Sequence, residues 1–131
     1  CLAYYANRGD SPPRFLSPGI YGLSNHLLDT LWPKLATAKA SFTEALAELP
    51  AQAKFFDLLA DQEIVADSHL PETGVALAWE RILSAVFVRS DDYGTRASTL
   101  LVRHRDGPTT LIERSFGAGA LLGGEVRESF S

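Results

Sequence analysis

Arg96-Ala97-Ser98-Thr99-Leu100-Leu101-Val102-Arg103 and Thr109-Thr110-Leu111-Ile112-Glu113-Arg114-Ser115-Phe116, with Asp106-Gly107 between them, set the architecture of this chain. Both runs are rich in Thr, Leu, Val and Ile, which fit a pleated, half-buried surface. Asp-Gly between two such runs is a strong short hairpin signal, because these residues tolerate the backbone angles of a tight turn. Outward from the hairpin, Gly117 to Gly124 reads as a flexible glycine-rich connection, and Glu125-Val126-Arg127-Glu128-Ser129-Phe130 as a final edge strand. On the other side, Ala78-Trp79-Glu80-Arg81-Ile82-Leu83 reads as a helical turn leading into a buried strand, Ser84 to Val88.

Further upstream, Leu35, Ala38, Phe42, Ala45, Leu46 and Leu49 recur at helical spacing, with Lys34, Lys39, Glu44 and Glu48 mostly on the opposite side. Pro33 suits the first turn of this helix. Pro50 ends it and opens a second helix, Ala51 to Ala60, carrying Phe55, Phe56 and Leu59. The chain begins with an aromatic strand, Leu2-Ala3-Tyr4-Tyr5-Ala6, that stops at the turn residues Asn7-Arg8-Gly9-Asp10. Ser11 to Gly19 is too rich in proline for a helix or a central strand. Ile20 to Asn25 reads as a short second strand, and Gly22 within it marks a close approach of another backbone or a ligand. The order is strand, strand, helix pair, then three or four antiparallel strands. The expected class is α+β, a single domain over residues 1–131, with helices on one face of a mostly antiparallel sheet.

The composition agrees with a packed domain. Of 131 residues, 46% are hydrophobic and 21% charged, which excludes a disordered tail, a collagen-like fibre and a disulfide-stapled miniprotein. No apolar run approaches the ~20 residues that cross a bilayer. The formal charge of −4, with no clustered basic face, argues against nucleic acid as a partner. One cysteine, Cys1, permits no internal disulfide, so a reducing, cytoplasmic compartment is expected. The sequence holds no methionine and starts at Cys1, so a chain that is processed, tag-cleaved or cut from something longer is expected.

Few residues stand in patterns that carry chemistry. His26, His69 and His104 are too far apart for a local metal motif, and no metal site is expected. Arg8-Gly9-Asp10 spells an adhesion tripeptide by coincidence, and the glycines from Gly117 to Gly124 do not form a phosphate loop between strand and helix. Two segments are less ordinary. In Tyr21-Gly22-Leu23-Ser24-Asn25-His26-Leu27-Leu28-Asp29-Thr30, polar side chains cluster where a strand ends, and an Asn amide there can donate to a developing oxyanion. The plainer role of Asn25 and Asp29 is to cap turns and the helix start. In Asp91-Asp92-Tyr93-Gly94-Thr95-Arg96-Ala97-Ser98-Thr99, an arginine enters a strand, and if it points inward it needs a carboxylate or an anionic ligand. The plainer role of Arg96 is a salt bridge to Asp91 or Asp92, or a solvated side chain.

Several of these stretches together resemble the transport and Golgi organisation 2 family, also called the NRDE family. The resemblance is carried by Leu2 to Asn7 with Arg8-Gly9, by Leu16 to Lys34, by Pro71-Glu72-Thr73-Gly74 with Trp79-Glu80-Arg81, by Ser84 to Val88, by Tyr93-Gly94-Thr95-Arg96-Ala97-Ser98-Thr99 and by Glu113-Arg114-Ser115-Phe116. It covers nearly the whole chain and matches the family's C-terminal half. The family's Asn-Arg-Asp-Glu signature has no counterpart, since Asn7-Arg8-Gly9-Asp10 places glycine where the signature has aspartate. The resemblance implies the N-terminal-nucleophile-hydrolase arrangement, a four-layer α-β-β-α sandwich of which this chain supplies one helical layer and much of the sheets.

By analogy with cysteine hydrolases of that superfamily, Asn25 would serve an oxyanion hole and Arg96 would line the catalytic pocket. Tyr21, Ser24, Asp29 and Ser98 complete the expected ligand-binding set. Cys1 has its own α-amino group as a nearby base, but only six residues separate it from Arg8, too few for two paired strands and a turn. Cys1 is therefore read as a strand residue left at the end by truncation. The function implied is a haem-trafficking or Golgi-organisation protein that handles haem or a lipid metabolite, with no covalently bound cofactor. Haem would be held through Tyr21, Trp32, Phe87 or arginine–propionate pairs. The alternative is an amide hydrolase whose nucleophile lies on the missing N-terminal half. Expected partners are that half or a second copy, and a small-molecule ligand, with organelle association in a eukaryote.

Overall fold

The computed structural model describes residues 2–7, 11–24, 27–70 and 73–131. Eight elements follow in order: β1 (Leu2–Tyr4), β2 (Arg14–Leu16), α1 (Pro33–Leu46), α2 (Ala53–Leu59), α3 (Leu77–Leu83), β3 (Ala97–Arg103), β4 (Thr109–Phe116) and β5 (Leu122–Phe130). The class is α+β. Strands β3, β4 and β5 form an antiparallel sheet in that order, and β1 and β2 form a separate two-stranded antiparallel ribbon.

The hairpin sits where its alternation places it. Leu100 faces Ile112 across β3 and β4, and Leu101 faces Leu111. Because successive side chains point to opposite faces, Ser98, Leu100 and Val102 share one face with Ile112. On that face Leu100 and Ile112 join Ala45 of α1 and Phe55 and Phe56 of α2 in the core, and Phe42, Leu58, Leu59 and Val102 pack around them. Phe42 meets Phe55 edge to face at 5.3 Å, a favoured aromatic geometry. The other face stays open, with Leu101 58%, Val126 57% and Phe130 52% exposed.

The helix pair agrees with the apolar periodicity and the two prolines. Pro33 begins α1, while the core line ends at Ala45, since Leu46 and Leu49 are exposed. The structure corrects three other expectations. Ile20 to Ser24 is not a strand: the N–H and C=O of Gly22 are both spent on Asp29, leaving that backbone no ladder to join. The second strand is instead Arg14–Leu16, inside the proline-rich stretch, and it is tolerated there because in a two-strand ribbon both strands are edges. Ser84 to Val88 is buried at Ser84, Ala85 and Phe87 but forms no strand. Its amides go elsewhere: Phe87 N–H donates to Asp61 O and Val88 N–H to Thr95 Oγ1. Finally, the glycine-rich connection is shorter than expected, since β5 already begins at Leu122 and pairs along β4 with an irregularity near Ser115 and Phe116.

Ile112 is fully buried beneath the helices. Ile112→Ala should lower stability by about 2–5 kcal/mol through lost burial and the cavity left behind. Leu101→Ala, on the open face, should change it by about 0.5 kcal/mol or less. Urea unfolding of the two variants checks both values, and similar losses would place the core on the wrong face.

Candidate functional site

The expected site residues fall into two places. The first is the loop between the ribbon and α1. Asp29 Oδ1 accepts the Gly22 N–H at 2.8 Å and the Lys39 Nζ at 2.8 Å. The Asp29 N–H in turn donates to Gly22 O at 2.8 Å. Asp29 sits at φ 57, left-handed backbone that aspartate tolerates better than most residues. Its carboxylate therefore closes the loop, the turn-capping role weighed above. The Lys39 ammonium, and after it the Gly22 N–H, hold the Asp29 carboxyl below its ordinary value.

Gly22 does mark a close approach, but of a side chain from α1. A Cβ there would lie 2.6 Å from Leu35 Cγ and Cδ1. Tyr21 Oη donates to Ser17 O at 3.0 Å, and the Leu28 N–H donates to Tyr4 Oη at 3.1 Å, tying the loop to β1. Ser24 Oγ is buried and has no hydrogen-bond partner among the described residues. A buried hydroxyl left unpaired costs about 1–3 kcal/mol, so Ser24 Oγ has capacity for a further hydrogen-bond partner. Asn25, the expected oxyanion donor, lies outside the described residues, as do His26 and Cys1.

The second place surrounds Arg96. A cavity of about 310 Å³ opens between loop 88–96 and the turn at 117–120. Its shape rests on local backbone contacts. Thr95 N–H donates to Val88 O at 2.9 Å and Thr95 Oγ1 accepts from Val88 N–H at 3.0 Å, while Arg89 and Gly94 form an antiparallel bridge. That approach requires glycine, since a Cβ on Gly94 would lie 2.9 Å from Val88 O. The Phe116 N–H donates to Arg96 O at 2.8 Å, tying loop 88–96 to the end of β4.

Arg96 and Arg89 both line the cavity and are exposed, and neither guanidinium has an ion-pair partner among the described residues. Asp91 and Asp92 line the same cavity without pairing to either, so the salt bridge weighed for Arg96 does not form. Tyr93, also on the wall, packs edge to face on Trp79 of α3 at 5.8 Å. Ser98 is buried on the helix side of β3, and it is not among the residues lining this cavity, nor are Tyr21, Ser24 and Asp29. Sequence reasoning passed over Arg89 and Tyr93. The signal available was Gly94, whose close backbone approach lets it bridge to Arg89.

The family's separate motifs meet through hydrogen bonds. The Thr73 N–H donates to Glu80 Oε1 at 2.8 Å, so the Thr73-Gly74 stretch is held by the Trp79-Glu80-Arg81 helix. Arg81 forks onto the carboxylate of Asp67, with Nε 2.8 Å from Oδ1. A sequence profile described as Transport and Golgi organisation 2 matches residues 1–118. The chain belongs to that family. It is 44% identical over 124 residues to the Transport and Golgi organization protein 2 homolog of Bos taurus, covering 87% of this chain and 45% of that relative. The Homo sapiens homolog is 37% identical over 123 residues with the same two coverages. The chain thus spans about half the length of the curated relatives it matches. The family match encloses the Asp29 loop and the whole run from Val88 to Arg96.

Asp29 gives the loop an acid-sensitive closure. Its folded carboxyl lies below the ordinary 3.8, so the stabilisation is fully present above that value and is lost as the pH falls through the folded value. Asp29→Asn should therefore be less stable than the unmodified chain at pH 7, and the gap should narrow below about pH 4. Urea midpoints measured across this range check the sign, and a gap that widens in acid would remove Asp29 as the closure.

Proposed function

We propose that this chain is a ligand-handling part of a transport and Golgi organisation 2 protein. In this reading Arg96 and Arg89 bind the anionic group of haem or a lipid metabolite at the mouth of the 310 Å³ cavity. One observation carries it: two exposed arginines line one cavity, and neither has an ion-pair partner among the described residues. A guanidinium offers a rigid fork of donors that suits carboxylate and phosphate oxygens. The cavity's volume lies at the low end for ligand sites, which fits a headgroup or a propionate better than a whole ligand. Asp91 and Asp92 on the same wall disfavour simple polyanions and favour ligands with one localised anionic group. Phe87 takes no part, because it is buried and packed edge to face on Phe116 at 4.8 Å.

The relatives' names concern transport and Golgi organisation, and such a role for this chain is part of the same proposal. Among the described residues, no helix is long and apolar enough to cross a membrane. A reducing, cytoplasmic setting is the reading that the single cysteine supports.

The test is a titration of the full-length protein with haemin, followed by absorbance, and with an anionic lipid. Saturable binding is expected, and Arg96→Ala should weaken it at least tenfold, since one charge-assisted hydrogen bond contributes about 1.5–3 kcal/mol. No saturable binding of either ligand would sink the proposal. A second reading, an amide hydrolase with Asn25 and Arg96 in its pocket, is favoured by Ser24, next to Asn25 in the sequence, whose buried hydroxyl has no hydrogen-bond partner among the described residues. That reading requires turnover of an acyl-amide by the full-length protein, lost in Asn25→Ala without loss of folding.

A further inference from the structure

Strand β5 is the longest strand of the chain, and all nine of its residues are exposed. It pairs with β4 along one edge, and no described strand pairs with its other edge. An edge without a ladder partner among the described residues presents N–H and C=O groups that template pairing with another chain. Charges on an edge ordinarily discourage this, and β5 carries Glu125, Arg127 and Glu128. Their order changes the outcome when the second strand is an antiparallel copy of β5 itself.

With Val126 opposite Val126, Glu125 of each copy comes opposite Arg127 of the other, giving two ion pairs across the two-fold axis. Gly124 then comes opposite Glu128, so the remaining acid meets no side chain. Shifting the register by two residues one way sets Arg127 against Arg127, and the other way sets Glu125 against Glu125. Opposite charges directly across a ladder stabilise it and like charges destabilise it, so the centred register is favoured over both neighbours. The same register keeps the faces aligned. Arg127 lies opposite Ile112 in β4 and Glu125 opposite Arg114, both on the helix-covered face, while Val126 lies on the open one.

We propose that β5 is a homodimerisation edge, joining two copies of this chain through antiparallel β5–β5 pairing centred on Val126 into one six-stranded sheet. The two charged side chains are already oriented on that face. Glu125 accepts from Arg114 Nε at 2.8 Å through Oε2, leaving Oε1 for the second copy, and Arg127 reaches Gln52 only at 3.3 Å. The resulting interface is isologous, the same edge on both partners, and so closes as a dimer rather than growing into a fibre. The edge lies beyond the part of the chain that the family profile matches, and it is independent of the Arg96 cavity.

Sedimentation equilibrium of the full-length protein, with circular dichroism to confirm folding, tests the proposal. The unmodified protein should form concentration-dependent dimers. Arg127→Glu and Glu125→Arg, each alone, should weaken dimerisation at least tenfold, because each sets two like charges face to face. An equimolar mixture of these two variants should dimerise again, since each heterodimer restores both opposite-charge pairs. Val126→Lys touches none of the intramolecular ion pairs, and it should also weaken the dimer by setting two ammonium groups at the axis. A monomeric unmodified protein would overturn the proposal. So would a dimer that Arg127→Glu and Val126→Lys both leave intact, because the interface would then lie elsewhere.

Discussion

Burial of Ile112 and Leu100 beneath Phe55 and Phe56 is the constraint on which the rest of the structure depends. The hairpin has only one strongly apolar pair on its covered face, and α2 supplies the aromatic surface that seals it. Once that contact is made, the register of β3 on β4 follows. A slip of one residue would carry Leu100 to the open face and Leu101 to the covered one, turning every side chain over. The helix pair is fixed by the same contact, since Ala45 lets α1 approach closely enough for Phe42 to reach the ring of Phe55.

Arg114 extends this core to the edge of the sheet. Its guanidinium lies 3.9 Å from the centre of the Phe56 ring, and its Nε donates to Glu125 Oε2 at 2.8 Å. A weakly hydrated, planar cation can stack on an aromatic face while keeping an ion pair. One side chain of β4 therefore holds both the helical layer and β5. With the backbone ladder to β4, this contact holds β5 although none of its own side chains is buried.

The cavity beside Arg96 is built from backbone rather than from packed side chains. Thr95 and Gly94 hold loop 88–96 on itself, and the Phe116 amide ties that loop to the sheet. The frame is anchored by the covered sheet, while the side chains at its mouth stay in solvent. In the proposed reading, a frame held by backbone hydrogen bonds suits recognition of an anionic group by arginines without ion-pair partners among the described residues, because little needs reordering when the ligand arrives. The Asp29 loop is organised differently. Its carboxylate is consumed in closing Gly22 onto the helix start, so its chemistry is largely structural, and Ser24 remains the polar group without a partner among the described residues.

The sequence by itself determined the hairpin, the helix pair and the α+β class. Those elements rest on local periodicity, on Pro33 and Pro50 and on Asp106-Gly107, each of which acts within a few residues. It also determined the family, because the motifs survive as strings. It did not determine Arg14–Leu16 over Ile20–Ser24 as the second strand, or the irregular path of Ser84 to Val88. In both cases the backbone groups were claimed by partners distant in the chain: Asp29 takes those of Gly22, and Asp61 and Thr95 take those of Phe87 and Val88. Arg96 was legible as a candidate site residue from its motif, but Arg89, which lines the same cavity, was not. Only tertiary structure sets two arginines seven positions apart on one cavity wall, because that placement depends on a backbone bridge that no spacing rule encodes.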